Sequence, residues 1–220
     1  MVQDLFATGG LPQLSIGYID ERIPFATVDG VFADPGAVRA AALALPYAPG
    51  TEYYPGRVAR FPDGDRSLAA FIQKVAGLVT REYLPRLPPL PGGMRLSALR
   101  GIDTDFAITE TPPEQLNEGQ RQPHIDAVPV FGLVYLNEEP RGGTLFFKPR
   151  DEIRTDANAS AYPSHDHERF EVCGHIEGRF NRLAIYPGFI FHSGEIDAGW
   201  IGTEARFASP RLTQRIMFHF

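Results

Sequence analysis

QPHIDAVPVFGLVYLNEEPRGGTLFF (122–147) holds two apolar runs, VPVFGLVYLN (128–137) and GTLFF (143–147), on either side of a turn containing Gly142 and Gly143. Short runs rich in Val, Phe, Tyr and Leu and bounded by Pro, Asn and Gly read as strands joined by a tight connection. Gly142 and Gly143 are expected to permit a turn with positive φ, and Pro187-Gly188 another, because glycine enters that region without a steric penalty. Just upstream, PHIDAVP (123–129) sets an imidazole and a carboxylate two residues apart. In a strand, side chains at i and i+2 share a face, so His124 and Asp126 present two metal ligands side by side.

Working outward, the same β-prone texture continues. MRLSALRGIDTDFAIT (94–109), HERFEVCGHI (167–176), RLAIYPGFIF (182–191) and RLTQRIMFHF (211–220) are further strand candidates, and IPFATVDGVF (23–32) is an early one leading into a turn. His192, in FIFHSGE (189–195), is expected at the end of an apolar strand, where folding can bring it opposite the His124/Asp126 pair. Two imidazoles and one carboxylate on one face of an iron ion leave coordination positions open for a cosubstrate and dioxygen.

Two helices interrupt the β pattern. Asp34 is suited to cap the first, with Pro35 at its first position and the Ala-rich VRAAALAL stretch ending at Pro46. Leu68, Phe71, Ile72, Val75, Leu78, Val79 and Tyr83 recur at three- and four-residue steps, which predicts a second helix from about Asp65 to Leu84, stopped by Pro85. Its apolar stripe is expected to pack on the protein's own sheet. PRLPPLPGG (85–93) is a connector, and the polar segment from Lys148 to about Asp166 is a candidate substrate lid.

Composition narrows the class. A chain of 220 residues with 20 Pro and 22 Gly suits many short elements in one domain, with helical support over about 34–84 and a β core over about 94–220. At this length roughly 70 % of the unfolded chain's surface is buried on folding, so a metal is not needed merely to hold the fold. Cys173 is the single cysteine, which rules out an intramolecular disulfide. With no basic leader in MVQDLFATGG and no membrane-length apolar run, a soluble, cytoplasmic protein is expected. A net charge of −6 with interspersed signs offers no footprint for nucleic acid or an anionic membrane. Nucleophile elbow, Walker loop and dinucleotide fingerprints are all missing from the sequence. A rival metal set is His165, His167, Cys173 and His175, whose spacing suits zinc poorly, and His219 reads as a packed or exposed histidine.

In order, His124-Ile125-Asp126, VYLNEEPRGGTLFF (134–147), NRLAIYPGFIFHSGE (181–195) and RLTQRIMFHF (211–220) resemble the iron(II)/2-oxoglutarate-dependent dioxygenase superfamily, particularly its prolyl-4-hydroxylase-like branch. The opening VDGVFADPGAVRAAALALPYAP is similar to the start of a bacterial domain-of-unknown-function family within it. The resemblance implies a double-stranded β-helix (a jelly-roll, cupin-like barrel) with Fe(II) on His124, Asp126 and His192. It also implies 2-oxoglutarate as cosubstrate, turned over to succinate and CO2 while an unreactive C–H bond is hydroxylated in a small molecule or a protein side chain. Arg211, which opens the last strand, corresponds to the family's cosubstrate-binding residue; Arg215, four residues on and on the same face, is its rival. Tyr135 aligns with a tyrosine that donates to the same distal carboxylate. Phe131, Phe146, Phe147, Phe189 and Phe191 are candidate shields of the metal, and the helices are expected to buttress one face of the major sheet. A non-catalytic β-helix module and a cupin-like metalloenzyme without 2-oxoglutarate are the alternatives; oligomeric state is not legible.

Overall fold

The computed structural model describes residues 4–9, 14–51, 54–90, 95–111, 115–117, 120, 123–150, 170–196 and 210–220. The elements run β1 (Ser15–Ile19), β2 (Ile23–Asp29), α1 (Pro35–Leu43), β3 (Ala48–Pro49), β4 (Gly56–Ala59), α2 (Arg66–Leu78), β5 (Gly101–Thr109), β6 (Val130–Tyr135), β7 (Thr144–Pro149), β8 (Phe170–Ile176), β9 (Arg182–Pro187), β10 (His192–Gly194) and β11 (Arg211–His219). The protein is mainly β with two helices, and every pairing is antiparallel.

Eight strands form the major sheet in the order β1-β2-β9-β6-β11-β5-β4-β3, and β10-β7-β8 form a minor one. Neither sheet closes on itself. At one margin Asp20 N donates to Cys173 O, tying the β1–β2 hairpin to β8. The candidate site lies where β10 meets the segment before β6 through the His124–His192 bridge, with Gly194 of β10 beside Arg211 of β11.

Alternation along the central strands decides what each face does. Val130 and Val134 of β6, Leu183 and Ile185 of β9, and Leu212, Ile216 and Phe218 of β11 join the core that includes Val38 and Ala42 of α1 and Phe71, Val75 and Leu78 of α2. Phe131, Leu133 and Tyr135, with Ala184 and Tyr186, point the other way and pack with Phe146 and Ile176 of the minor sheet. Both faces of these strands are covered, which is why their sequences are apolar runs with little polar alternation.

The helices form where their caps dictate. Asp34 Oδ1 accepts from Ala37 N at 2.9 Å, and Asp65 Oδ1 accepts from Leu68 N at 2.8 Å. Each such bond satisfies one of the free N–H groups of a first turn and contributes about 1 kcal/mol. The stripe expected to pack inward does so: Phe71, Val75, Val79 and Tyr83 are all buried. The α-helix itself stops at Leu78, and the chain continues through a π-helical turn, Val79–Tyr83, and a 3-10 turn, Leu84–Arg86. No helix among the described residues is long and apolar enough to cross a membrane.

Several expectations need correction. The strand expected from residue 94 begins at Gly101, which pairs with His219 at the far end of β11; upstream, no β11 residue is left to pair. His124 and Asp126 are not in a named strand: His124 forms an isolated antiparallel bridge with His192, and Asp126 N donates to Gly188 O. His192 does not end β9 but opens β10 in the other sheet, because the chain turns after Pro187. Gly142 has the expected positive φ of 71°, whereas Gly143 and Gly188 are not in that region. A Cβ on Gly188 would lie 2.1 Å from Val128 O, and one on Gly143 would lie 2.2 Å from Ile176 O, so both glycines permit close backbone approach instead. The candidate lid beyond Arg150, together with His165 and His167, lies outside the described residues.

Candidate metal and cosubstrate site

The bridge between His124 and His192 is closed by two backbone bonds, His124 N to His192 O at 2.9 Å and His192 N to His124 O at 2.8 Å. This pairing brings the imidazoles together with ring centroids 4.6 Å apart and planes tilted by 50°. Asp126, tethered through its N–H to the turn after β9, adds its carboxylate. One ligand atom from each of His124, Asp126 and His192 lies within 4.8 Å of the others. Among the described residues they are the one group of three or more His, Cys, Asp or Glu side chains so placed. His175, from the rival set, instead meets Glu195 at 3.0 Å.

The details fit a cation. Asp126 Oδ2 is buried, is reached by no hydrogen bond, and sits 3.1 Å from His192 Nε2. An orphaned anionic oxygen in such a place is costly unless a cation or proton faces it. His192 is buried, and its Nδ1 lies 2.8 Å from Ile190 O. A carbonyl only accepts, so Nδ1 carries a proton, and Nε2 is the nitrogen that faces Asp126. Burial opposes ionisation of Asp126, but the charges of His192, His124 and Arg215 outweigh it and hold the carboxyl below the usual range. Burial likewise opposes a charged His192, yet Asp126 holds the imidazole above its ordinary value. In the metal-free protein the two behave as an ion pair that a divalent metal would replace.

The shield around these ligands is partly the expected one. Phe131 and Phe146 lie 6.4 and 6.3 Å from the His192 ring. Tyr186, absent from the sequence reading, is nearer, edge-on at 5.0 Å. Phe147 and Phe191 instead pack on Phe170, because β7 turns Phe146 inward and its neighbour outward. Phe189 is half-buried.

The two candidate arginines share a face of β11 and have different surroundings. Arg215 stands directly across from Asp105 of β5, and its Nε and Nη2 donate to the two carboxylate oxygens at 2.6 Å each. Its guanidinium lies over the Tyr54 ring at 5.2 Å. Arg211 is 6 % exposed and donates only to carbonyls, through Nε to Gly142 O at 2.9 Å and Nη2 to Gly143 O at 3.3 Å. No carboxylate pairs with it among the described residues. Its guanidinium lies flat against Gly194, where a Cβ would come within 3.3 Å of Cζ. Gly194 and His192 lie on one face of β10, so the position beside the Arg211 guanidinium and the candidate ligand His192 are about 7 Å apart along that strand.

Tyr135 faces the same space. Its hydroxyl lies 2.7 Å from Thr144 Oγ1, and burial raises its pKa, so it stays protonated. Asn137, another residue that sequence reasoning missed, donates through Nδ2 to Glu139 O and Arg141 O and thereby shapes the turn that offers Gly142 and Gly143 to Arg211. The nearest sequence signal was its place after the Tyr135-Leu136 pair.

The sequence matches the family described as Family of unknown function (DUF6445) over residues 12–158 and 150–218. The chain belongs to this family. No curated protein gives a significant match. Among solved structures, this DUF6445 chain is similar to the epimerase SnoN in complex with Fe3+, alpha ketoglutarate and nogalamycin RO, with 14 % identity, 90 % of this chain and 79 % of that one covered, and a TM-score of 0.54. It is also similar to HygX from Streptomyces hygroscopicus with nickel and 2-oxoglutarate bound, at 12 % identity, 90 % and 83 % coverage, and a TM-score of 0.51. A Pseudomonas putida prolyl-4-hydroxylase matches at 15 % identity over 89 % of this chain and 91 % of that one, with a TM-score of 0.46. At these identities the likeness is one of fold.

Proposed function

We propose that the protein is an iron(II)- and 2-oxoglutarate-dependent oxygenase on a double-stranded β-helix (jelly-roll) scaffold, hydroxylating a small molecule or a protein side chain. The observation that carries this reading is the convergence of His124, Asp126 and His192, whose ligand atoms lie within 4.8 Å of one another although His192 is distant in the sequence. The buried Arg211, which pairs with no carboxylate among the described residues, supports the second component.

His124, Asp126 and His192 would hold Fe(II), and the set suits it: two imidazoles and a carboxylate leave open positions for an oxo acid and dioxygen. Bound iron would couple oxidative decarboxylation of 2-oxoglutarate, to succinate and CO2, to oxidation of a C–H bond. Ile190 O keeps the His192 proton on Nδ1, away from the ligand position. Arg211 neutralises the far carboxylate of the cosubstrate, with fork geometry suited to two parallel bonds, and Tyr135 adds a hydroxyl on the same side. Phe131, Phe146 and Tyr186 exclude water around His192, which strengthens the electrostatic contacts inside and protects the site from side reactions.

The test is anaerobic addition of Fe(II) and then 2-oxoglutarate to the purified protein. A visible charge-transfer band is expected in wild type and is expected to be lost in His124→Ala. No band in wild type, or an identical band in His124→Ala, would contradict the reading. Release of succinate under air, screened against candidate substrates, separates an enzyme from a non-catalytic binding module.

A further inference from the structure

The minor sheet has the metal ligand His192 on its inner face and a contact between His175 and Glu195 on its outer one. In the order β10-β7-β8, strands β8 and β10 flank β7 and so stand about 10 Å apart. Phe146 and Ile176 face the inner cluster, so their neighbours Leu145 and His175, which pair across β7 and β8, face outward. Glu195 follows Gly194, the last residue of β10, which pairs with Thr144. His175 Nε2 meets Glu195 Oε2 at 3.0 Å although the middle strand lies between them. The contact passes over residue 143, where a Cβ would come within 2.9 Å of that same Nε2. A glycine there keeps the path open.

Three hydrogen bonds converge on the turn beneath this contact. Gly142 O and Gly143 O accept from Arg211, and Gly143 O also accepts from Glu195 N at 3.0 Å. β10 is only three residues long, with His192 at one end and Gly194, beside the Arg211 guanidinium, at the other. Two backbone bonds to His124 fix the His192 end. Beyond the Gly194–Thr144 pair, the other end is fixed by the Glu195 N bond and by the His175–Glu195 contact.

We infer that His175 and Glu195 are positioning residues. Their contact across Gly143 clamps the end of β10 to the glycine turn, and so holds in place the two carbonyls and the Gly194 surface that aim Arg211. Both side chains act from the outer face of the sheet. This inference rests on the oxygenase reading, in which Arg211 binds the far carboxylate of 2-oxoglutarate. The sign of the effect separates a clamp from a charge effect: removing a carboxylate near an anion site strengthens anion binding by electrostatics alone, whereas loosening a clamp weakens it.

The test titrates 2-oxoglutarate calorimetrically into full-length protein loaded with Ni(II), as wild type, His175→Ala, Glu195→Ala, the double variant and Glu195→Gln. The two side chains are 43 % and 29 % exposed, so the contact is a weak one. Each single alanine variant is expected to bind 2-oxoglutarate about three- to fivefold more weakly than wild type. The double variant is expected to be no weaker than Glu195→Ala, because the two side chains form one contact. Glu195→Gln, whose amide still donates to the ring nitrogen, is expected to stay within about twofold of wild type. Ni(II) affinity is expected to be the same in all five proteins. Unchanged or tighter 2-oxoglutarate binding in Glu195→Ala, additive losses in the double variant, no rescue by Glu195→Gln, or a parallel fall in Ni(II) affinity overturns the inference and leaves the oxygenase reading intact. Failure of wild type itself to bind 2-oxoglutarate overturns both.

Discussion

Arg211 and Arg215 lie on the same face of one strand, four residues apart, at two ends of the site that solve the problem of a buried cation differently. At the Arg215 end, Asp105 supplies a two-point partner and Tyr54 a covering ring, so the charge is satisfied by the protein alone. At the Arg211 end, the guanidinium is held by carbonyl dipoles of a glycine turn, and no carboxylate among the described residues pairs with it. Only the second arrangement gains from an anionic ligand. Both arginines were eligible by spacing, and their different surroundings are what favour Arg211 in the reading proposed above.

The sharpest way to break this contrast is Arg211→Met. Its 2-oxoglutarate affinity, by calorimetry on Ni(II)-loaded protein, is expected to fall about 100-fold, near 2.7 kcal/mol. The ligand-free variant should melt at or above the wild-type temperature, because an uncompensated buried charge has been replaced by an apolar chain. A melting temperature well below wild type would show Arg211 to be a structural brace.

Asp105→Asn tests the other end with the opposite signature. It leaves Arg215 without its carboxylate and is expected to cost about 2 kcal/mol of stability in urea unfolding, while 2-oxoglutarate affinity stays close to wild type. If the affinities fall in parallel, the two arginines act as one anion site and the distinction fails.

His192 and Asp126 form a third charged contact, one that a bound metal would replace, and pH sharpens it. The His192 pKa is raised in the folded, metal-free protein, so its stabilising charge is fully present below the unfolded value and fades as pH rises through the folded one. Asp126 has the opposite shift, and its contribution is lost as pH falls through its lowered value. Because metal must displace the His192 proton, Ni(II) affinity is expected to drop about tenfold per pH unit below the folded imidazole pKa. A pH-independent Ni(II) affinity from about pH 5.5 to about pH 7.5 would exclude His192 as a ligand. The smallest effect belongs to Tyr54→Leu, which removes the ring over Arg215 and should lower stability by about 0.5–1 kcal/mol without touching ligand binding.

The parts of the molecule that were legible in its sequence are those whose neighbours are local or whose burial is two-sided. Asp34 and Asp65 announce their helices because a cap bonds three residues ahead. The runs around Val134 and Leu183 read as strands because both of their faces are covered. β1, β3 and β4 escaped notice: SIGYI is short, with one glycine and an exposed tyrosine, and AP and GRVA carry no pattern longer than their turns. The break between β9 and β10 was hidden because PGFIF stays apolar across the corner, where Gly188 admits the Val128 carbonyl.

At the site, His124, Asp126, His192, Arg211 and Tyr135 were readable as residue types at suggestive spacings. Their meeting depends on the His124–His192 bridge, which no spacing specifies. Asp105 could not be assigned to Arg215 before the β5–β11 register was known, since a one-residue slip would have turned it to the other face. Tyr186 was invisible for a different reason: an inward tyrosine in an apolar strand has the same sequence signature as a core residue.

The most direct measurement of the whole account is a crystal structure of the protein soaked with Ni(II) and 2-oxoglutarate, with the metal located by its anomalous signal. The expected result is one metal bonded to His124, Asp126 and His192, with the far carboxylate of the oxo acid against Arg211 and Arg215 still paired with Asp105. A metal bound elsewhere, or an oxo acid whose far end leaves Arg211 untouched, would contradict it.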